Sequence, residues 1–306
     1  LGVSTENQAY FDIHIDEVLD LEFVNTKAIS ECKFKVVVDA VNSTGGVAIP
    51  LLLERLGVEA VKIHCEPNGQ FPHNPEPLKQ HLTDLSEKVI SSNADFGIAV
   101  DPDVDRLAFM DEKGIMFGEE YTLVACADYI LSQRPGNTVS NLSSTRALRD
   151  VTKKHGGTYI ASAVGEVNVV NAMKSTNAVI GGEGNGGIIY PESHYGRDAL
   201  VGVALFLSLL AERKMAVSAL RASYPSYFMS KKKIDLNPSI DVDAILVAME
   251  AKYAHEQIST IDGVKIDFEK EWIHLRKSNT EPIIRIYTES TSQESADSLA
   301  IRFIDE

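Results

Sequence analysis

Residues 96–106 read Phe-Gly-Ile-Ala-Val-Asp-Pro-Asp-Val-Asp-Arg. The first five are apolar or small, and such a short run predicts a strand buried on both faces. It ends in acids: Asp101, Asp103 and Asp105 alternate, and Arg106 follows. Upstream, Phe34–Asp39 (Phe-Lys-Val-Val-Val-Asp) is a second Val-rich buried strand, and Val58–Ile63 is a third. Between the last two, Asn42–Gly46 makes a turn, and Ile49, Leu52, Leu53 and Leu56 recur at helical spacing up to Gly57. After the Pro-rich loop Phe71–Pro77, Leu78, Leu82, Leu85 and Val89 share one helix face. Strands alternating with helices predict a parallel sheet with crossover connections.

The rhythm repeats downstream. Helices are expected over about Glu119–Leu131, Thr145–His155, Glu166–Lys174 and Asp198–Arg213, and strands over Thr138–Leu142, Tyr159–Val164 and Ala178–Gly181. Near Tyr224-Pro225-Ser226 the pattern changes. Lys231–Lys233, Ile258–Ile261, Val264–Phe268, Trp272–Leu275 and Ile283–Thr288 read as strands with tight turns such as Asp262-Gly263; a helix over Asp241–Ala254 and a last one from Gln293 complete this part. The fold expected is α/β: two similar three-layer domains with mixed, mainly parallel sheets, 1–111 and 112–224, followed by a small α+β domain with an antiparallel sheet, 225–306.

The composition agrees with a globular chain. Of 306 residues, 44% are hydrophobic and 24% charged, which excludes a disordered chain. A net charge of −15 argues against nucleic acid or an anionic membrane as partner. Any anionic substrate then needs a locally basic site. No apolar run is long enough to span a bilayer. Cys32, Cys65 and Cys126 form no CxxC pair, which favours a reducing, cytoplasmic setting. The sequence starts at Leu1 rather than Met, as a trimmed piece of a longer chain would.

Three segments carry chemistry. Asp101, Asp103 and Asp105 can converge through oxygen ligands on one hard cation, with Mg²⁺ keeping a position for phosphate or water. Arg106 beside them suits the same phosphate. A solvated acidic turn is the plainer reading, but not one expected straight after a buried strand. A calcium loop of EF-hand type would end at Glu112, yet it needs Gly where Arg106 stands. An aspartyl phosphatase with Asp101 as nucleophile is a further alternative. The second segment, Gly181–Gly187 (Gly-Gly-Glu-Gly-Asn-Gly-Gly), presents Glu183 and Asn185 for sugar hydroxyls between glycines that admit a close ligand. The third runs Arg276-Lys-Ser278-Asn279-Thr280-Glu-Pro-Ile-Ile-Arg285, a donor set suited to a phosphate dianion.

Together the three resemble the loops of the α-D-phosphohexomutase superfamily, which includes phosphomannomutase/phosphoglucomutase and phosphoglucosamine mutase. The family's metal loop has the form DGDGDR and its sugar loop GEMSGH, and its phosphate loop opens RxSNTxP with an Arg further on. They stand here in family order at Asp101–Arg106, Gly182–Gly187 and Arg276–Arg285. Val37–Gly46, the Phe71-Pro-His-Asn-Pro loop and Thr145-Arg146 also match. The resemblance implies α/β domains followed by an α+β domain around one cleft, and phosphoryl transfer between O1 and O6 of a hexose or hexosamine phosphate. A phosphoserine would be the donor and hexose 1,6-bisphosphate the intermediate and activator. The resemblance assigns Mg²⁺ to Asp101, Asp103 and Asp105, the sugar to Glu183 and Asn185, and the non-reacting phosphate to Arg276, Ser278, Asn279, Thr280 and Arg285. It gives Arg106 a place in catalysis.

The sequence departs from the family in places. The phosphoserine loop, of form T-A-S-H-N-P, is not found; Gln70-Phe71-Pro72 precedes His73-Asn74-Pro75 instead. The expectation is therefore domains two to four without the serine, and no turnover by these residues alone. A sugar-phosphate binder without catalysis is the alternative. Pro102 and Val104 replace loop glycines, Asn185 replaces Ser, and Gly187 replaces the final His. Glu166, after Gly165, is more like phosphoglucosamine mutases, where a carboxylate suits an amino sugar. His194 is a weaker candidate for the site; His64, His81 and His274 read as structural or surface groups, and Trp272 as core.

Overall fold

The computed structural model describes residues 9–235, 241–278 and 282–306. Helices α1 (Ala9–Leu19) and α2 (Thr26–Cys32) precede the first sheet, whose strands are β1 (Lys35–Asp39), β2 (Glu59–Ile63), β3 (Phe96–Val100) and β4 (Leu107–Met110). Helices α3 (Gly45–Arg55) and α4 (Thr83–Ser92) make the crossovers. The strand order is β2-β1-β3-β4; β1 is parallel to both neighbours, and β4 is antiparallel to β3. The chain leaves β1 toward one edge and returns to β3 on its other side. A crevice therefore opens beyond the carboxyl ends of β1 and β3, the place where such sheets bind ligands. Asp39 closes β1, and Asp101 follows β3 directly.

The second sheet has the same layout. Its strands are β5 (Asn137–Asn141), β6 (Tyr159–Ser162), β7 (Ala178–Glu183) and β8 (Gly187–Ile189), in the order β6-β5-β7-β8 with an antiparallel edge strand β8. Asn141 and Glu183 end the two central strands. Helices α5 (Glu119–Gln133), α6 (Ala147–Lys154), α7 (Glu166–Thr176), α8 (Ala199–Arg213) and α9 (Val217–Ala222) belong to this unit. α8 is apolar on every face because it is enclosed: a continuous core joins it to both sheets. In that core the Phe109 and Phe206 rings stack with centroids 3.8 Å apart, and Phe96 and Phe117 meet Phe206 edge-on.

The third unit is an antiparallel sheet of β9 (Phe228–Asp235), β10 (Gln257–Ser259), β11 (Val264–Asp267), β12 (Trp272–Lys277) and β13 (Ile283–Ser290), ordered β10-β11-β12-β13-β9. Helices α10 (Val242–Lys252) and α11 (Gln293–Asp305) contribute Met249, Leu299 and Phe303 to its separate core. Buried polar contacts dock it on the second unit. Arg146 donates to Asp267 and to the carbonyls of Phe268, Glu269 and Glu271. Lys265 donates to the Leu142 carbonyl, and Trp272 is core, its indole N–H on Glu289. His274 bridges Ser143 and the Asp262 carbonyl, the structural role expected of it.

Several features differ from the sequence reading, among them helix α9 and strand β8, which were not expected. α4 begins at Thr83, and Leu78 lies before it; residues 79–81 form a single 3₁₀ turn, with the His81 ring bonded to the Glu76 carbonyl. Helices α1 and α2 were not anticipated. α1 lays Ile15 and Val18 into the core of the two α/β units. Among the described residues no helix is long and apolar enough to cross a membrane.

His14 of α1 sits 2.7 Å from Asp198, whose other oxygen caps α8 at Leu200 and Val201. The bond to Asp198 raises the His14 pKa above 6.5, and Asp198 is held far below the carboxylate range by its imidazole partners, against its burial. For a histidine whose folded pKa is raised, the stabilisation is complete below 6.5 and is lost as pH rises through the folded value. Thermal melts of His14→Gln should thus fall furthest below those of the parent under pH 6.5, and the gap should narrow with rising pH. A constant gap would contradict this.

Candidate functional site

The loop after β3 is shaped by its backbone. Asp101 Oδ1 accepts the amides of Asp105 and Arg106, at 3.1 and 2.9 Å, which turns the chain back over the strand end. Val104 occupies the left-handed region at φ +63°, a conformation that glycine adopts freely and a β-branched residue does not. Neighbours hold it there: the Ala199 amide donates to the Val104 carbonyl, and Ser43 donates to that of Pro102. The result is that carboxylate oxygens of Asp101, Asp103 and Asp105 lie within 4.8 Å of one another. Burial, with the neighbouring carboxylates, pushes Asp101 up to about 7; Asp105 is raised too. Under-compensated oxygens at this spacing fit a hard divalent cation. Glu112 does not belong to this loop, since Ser218 holds its carboxylate, so the calcium-loop reading fails.

Arg106 Nη1 donates to Glu76 at 3.0 Å, while its buried Nε, without a hydrogen bond, faces Asp101 at 3.6 Å and Asp105 at 3.9 Å. Glu183, at the end of β7, accepts from Asn141 at 2.8 Å and from the Gly165 amide at 3.2 Å. Asn185 is half-buried, and its Oδ1 accepts from the Gly187 amide. Gly186 has φ +90°, and a Cβ there would collide with the Leu107 backbone, so this glycine lets the sugar loop lie against β4. The Gly186 carbonyl accepts from Leu107 across that contact.

The phosphate segment lies on β12 and β13. Arg276 and Arg285 are directly cross-strand, and Ser278 is buried with its amide on the Ile283 carbonyl. Opposed guanidinium groups repel, which an anion between them would offset. Asn279 and Thr280 lie outside the described residues.

Arg197 connects the first two loops. Its guanidinium meets Asp105, Glu166 at 3.0 Å and Glu183 at 3.4 Å. From Glu183 a path of hydrogen bonds continues to the phosphate segment: Gly165 N–H donates to Glu183, the adjacent Val164 N–H donates to Asp262, and Asp262 faces Arg276 at 3.3 Å. Glu166 is thereby paired with Arg197, with about a third of its side chain exposed. His194 turns to Asp198, 2.9 Å away, and joins none of the three loops.

Sequence reasoning gave Arg197 no ligating role and passed over Asn141, Asp262 and Glu120. Asn141 had a usable signal: it ends a central strand as Asp101 follows one. Glu120 is buried beneath Gly184, accepts from the Thr145 amide and is pushed up to about 8 by burial. Lys231, on β9, faces it at 3.6 Å.

The chain matches the phosphoglucomutase/phosphomannomutase family models for α/β/α domain II over residues 12–114, α/β/α domain III over 118–227 and the C-terminal domain over 231–306. It shows no match to domain I. The chain belongs to this family. A probable phosphoglucosamine mutase of Methanopyrus kandleri is 31% identical over 99% of the chain and 67% of its own length. A phosphoglucomutase/phosphomannomutase of Thermococcus kodakarensis is 35% identical over 92% of the chain and 63% of its own. The crystal structure of a family member from Burkholderia thailandensis superposes with a TM-score of 0.80 at 28% identity, covering 96% of this chain and 62% of that one. The chain thus spans about two thirds of these proteins.

The raised Asp101 has a signed consequence. Its folded pKa of about 7 exceeds the ordinary carboxylate value of 3.8, so in chelator this group lowers stability as pH rises through that window. A cation at the loop must displace that proton. Calorimetric Mg²⁺ titrations should give an affinity that rises with pH up to about 7 and then levels, with proton release detectable in buffers of different ionisation heat. A pH-independent affinity would contradict the burial of Asp101.

Proposed function

We propose that this chain forms the substrate cleft of a phosphohexomutase, which shifts a phosphoryl group between O1 and O6 of a hexose or hexosamine phosphate. The observation that carries the reading is the unbroken path Asp105–Arg197–Glu183–Gly165/Val164–Asp262–Arg276, which links the metal, sugar and phosphate loops. We assign the units to residues 1–111, 112–224 and 225–306, one loop in each. Asp101, Asp103 and Asp105 would hold Mg²⁺, which when bound supplies positive charge beside the transferring phosphoryl group.

The chain's own residues do the rest. Arg106, whose guanidinium stands beside Asp101 and Asp105, would bring positive charge to the reacting phosphate. Glu183 and Asn185 orient sugar hydroxyls. Arg276, Arg285 and Ser278, with Asn279 and Thr280, grip the phosphate at rest, so either end of the sugar can face the metal loop. The phosphoserine of the resemblance has no counterpart among these residues, and a domain outside the given sequence would supply it. The names of relatives include both phosphoglucosamine mutase and phosphoglucomutase/phosphomannomutase, so the reading stays at a hexose or hexosamine phosphate.

Residues 1–306 should bind hexose 6-phosphate in calorimetry. Arg285→Met should weaken that binding about 10–100-fold, the loss of one charge-assisted contact of about 1.5–3 kcal/mol. In a coupled assay with Mg²⁺ and hexose 1,6-bisphosphate the same chain should show no turnover. Binding that is absent, or indifferent to Arg285, would overturn the cleft; sustained turnover would overturn the need for an external serine.

A further inference from the structure

Asp39 closes β1 at the same crevice as the Asp101 loop, and its carboxylate is fully buried. Oδ1 accepts the Val41 amide. His73 presents Nε2 to this carboxylate at 3.1 Å from Oδ2 and 3.3 Å from Oδ1. The other nitrogen of His73 is 2.8 Å from the Asn74 carbonyl. A carbonyl only accepts, so Nδ1 bears the hydrogen and a neutral ring aims the Nε2 lone pair at a carboxylate. Two acceptors face each other, and only a proton or a cation between them relieves the contact.

His64 completes the set. Its Nε2 is 3.0 Å from Asp84, so the ring's remaining nitrogen is Nδ1. One ligand atom from each of Asp39, His64 and His73 lies within 4.8 Å of the others. Both imidazoles thus carry an outer acceptor that fixes the tautomer, as metal-bound histidines do. Bonds of 2.0–2.1 Å in a tetrahedral site set ligands about 3.3 Å apart, the separation seen between Asp39 and His73.

We propose that Asp39, His64 and His73 bind a second cation, of the first-row transition type exemplified by Zn²⁺. Two nitrogens and one buried carboxylate suit such an ion better than Mg²⁺ or Ca²⁺. The other His-Asp group makes the contrast. His14 and His194 share one oxygen of Asp198, at 2.7 and 2.9 Å, and His194 Nδ1 accepts the Gly196 amide. Its Nε2 therefore carries a hydrogen, and that group is a proton clamp. A cation at Asp39 would pin the 71–77 loop to the end of β1. That loop delivers Glu76 to Arg106, so the ion would steady the metal loop from behind.

Cobalt absorption tests this on the chelator-treated chain. Four-coordinate Co²⁺ with nitrogen ligands absorbs strongly in the visible, whereas Co²⁺ on an all-carboxylate loop absorbs weakly. The parent should bind one strongly absorbing equivalent, displaced by Zn²⁺ and unchanged in His14→Gln. His73→Gln and His64→Gln should abolish it. Asp84→Asn, an exposed substitution that leaves the core alone, should weaken Co²⁺ binding about 10–100-fold. Only weak bands from the parent would overturn the site and leave Asp39 and His73 as a proton-sharing pair. A strong band retained in both histidine variants would overturn it as well, and the parent spectrum decides even where a variant does not fold.

Discussion

Arg197 lies among Glu166, Glu183 and Asp105, carboxylates that the chain delivers from a helix start, a strand end and a loop. At 4 Å two such charges repel by about 4 kcal/mol in a half-buried setting, so their gathering depends on the guanidinium between them. Lysine could not replace it, because one planar fork must meet acceptors in several directions. The position follows from sequence neighbours: Asp198 caps α8, and the buried helix fixes the residue just before its cap. The metal loop is tied to the same helix start through the Val104 carbonyl and the Ala199 amide. The cleft thus depends on one helix terminus, itself held by the aromatic core around Phe206.

The third unit is positioned by different means. It has its own small core and meets the second unit through buried polar groups. Arg146 gathers carbonyl oxygens of the β11–β12 turn, and Lys265 is pulled down to about 8 by burial while it donates to Leu142. Such contacts demand geometry, because an unpaired partner left buried is costly. They set Asp262, and with it Arg276, against the start of α7. The phosphate segment is thereby tied to the sugar loop.

Much of this was legible in the residues. The apolar runs ending in Asp39 and Asp101 are strands with polar ends because only buried parallel strands carry such runs, and the loops follow those ends by topology. Lys231–Lys233 reads as a strand from its spacing, yet the bond of Lys231 to buried Glu120 depends on a fold-level approach that no local pattern encodes. Helices α1 and α2 escaped notice because the apolar residues of α1 are not confined to one face, Tyr10 and Ile13 being exposed, because α2 is short, and because their partner α8 lies far along the chain. Arg197 had no motif of its own. His64 read as a structural or surface group, and His73 only as part of the Phe71–Pro75 loop, until folding placed both beside Asp39.

The most direct test is anomalous diffraction from crystals of this chain grown with Mn²⁺, a stand-in for Mg²⁺, and hexose 1,6-bisphosphate. The account predicts one strong Mn²⁺ peak among Asp101, Asp103 and Asp105, with one phosphate beside it, the sugar hydroxyls on Glu183 and the second phosphate between Arg276 and Arg285. A sugar bisphosphate bound elsewhere, or a cation absent from that loop while the ligand is seated, would contradict it.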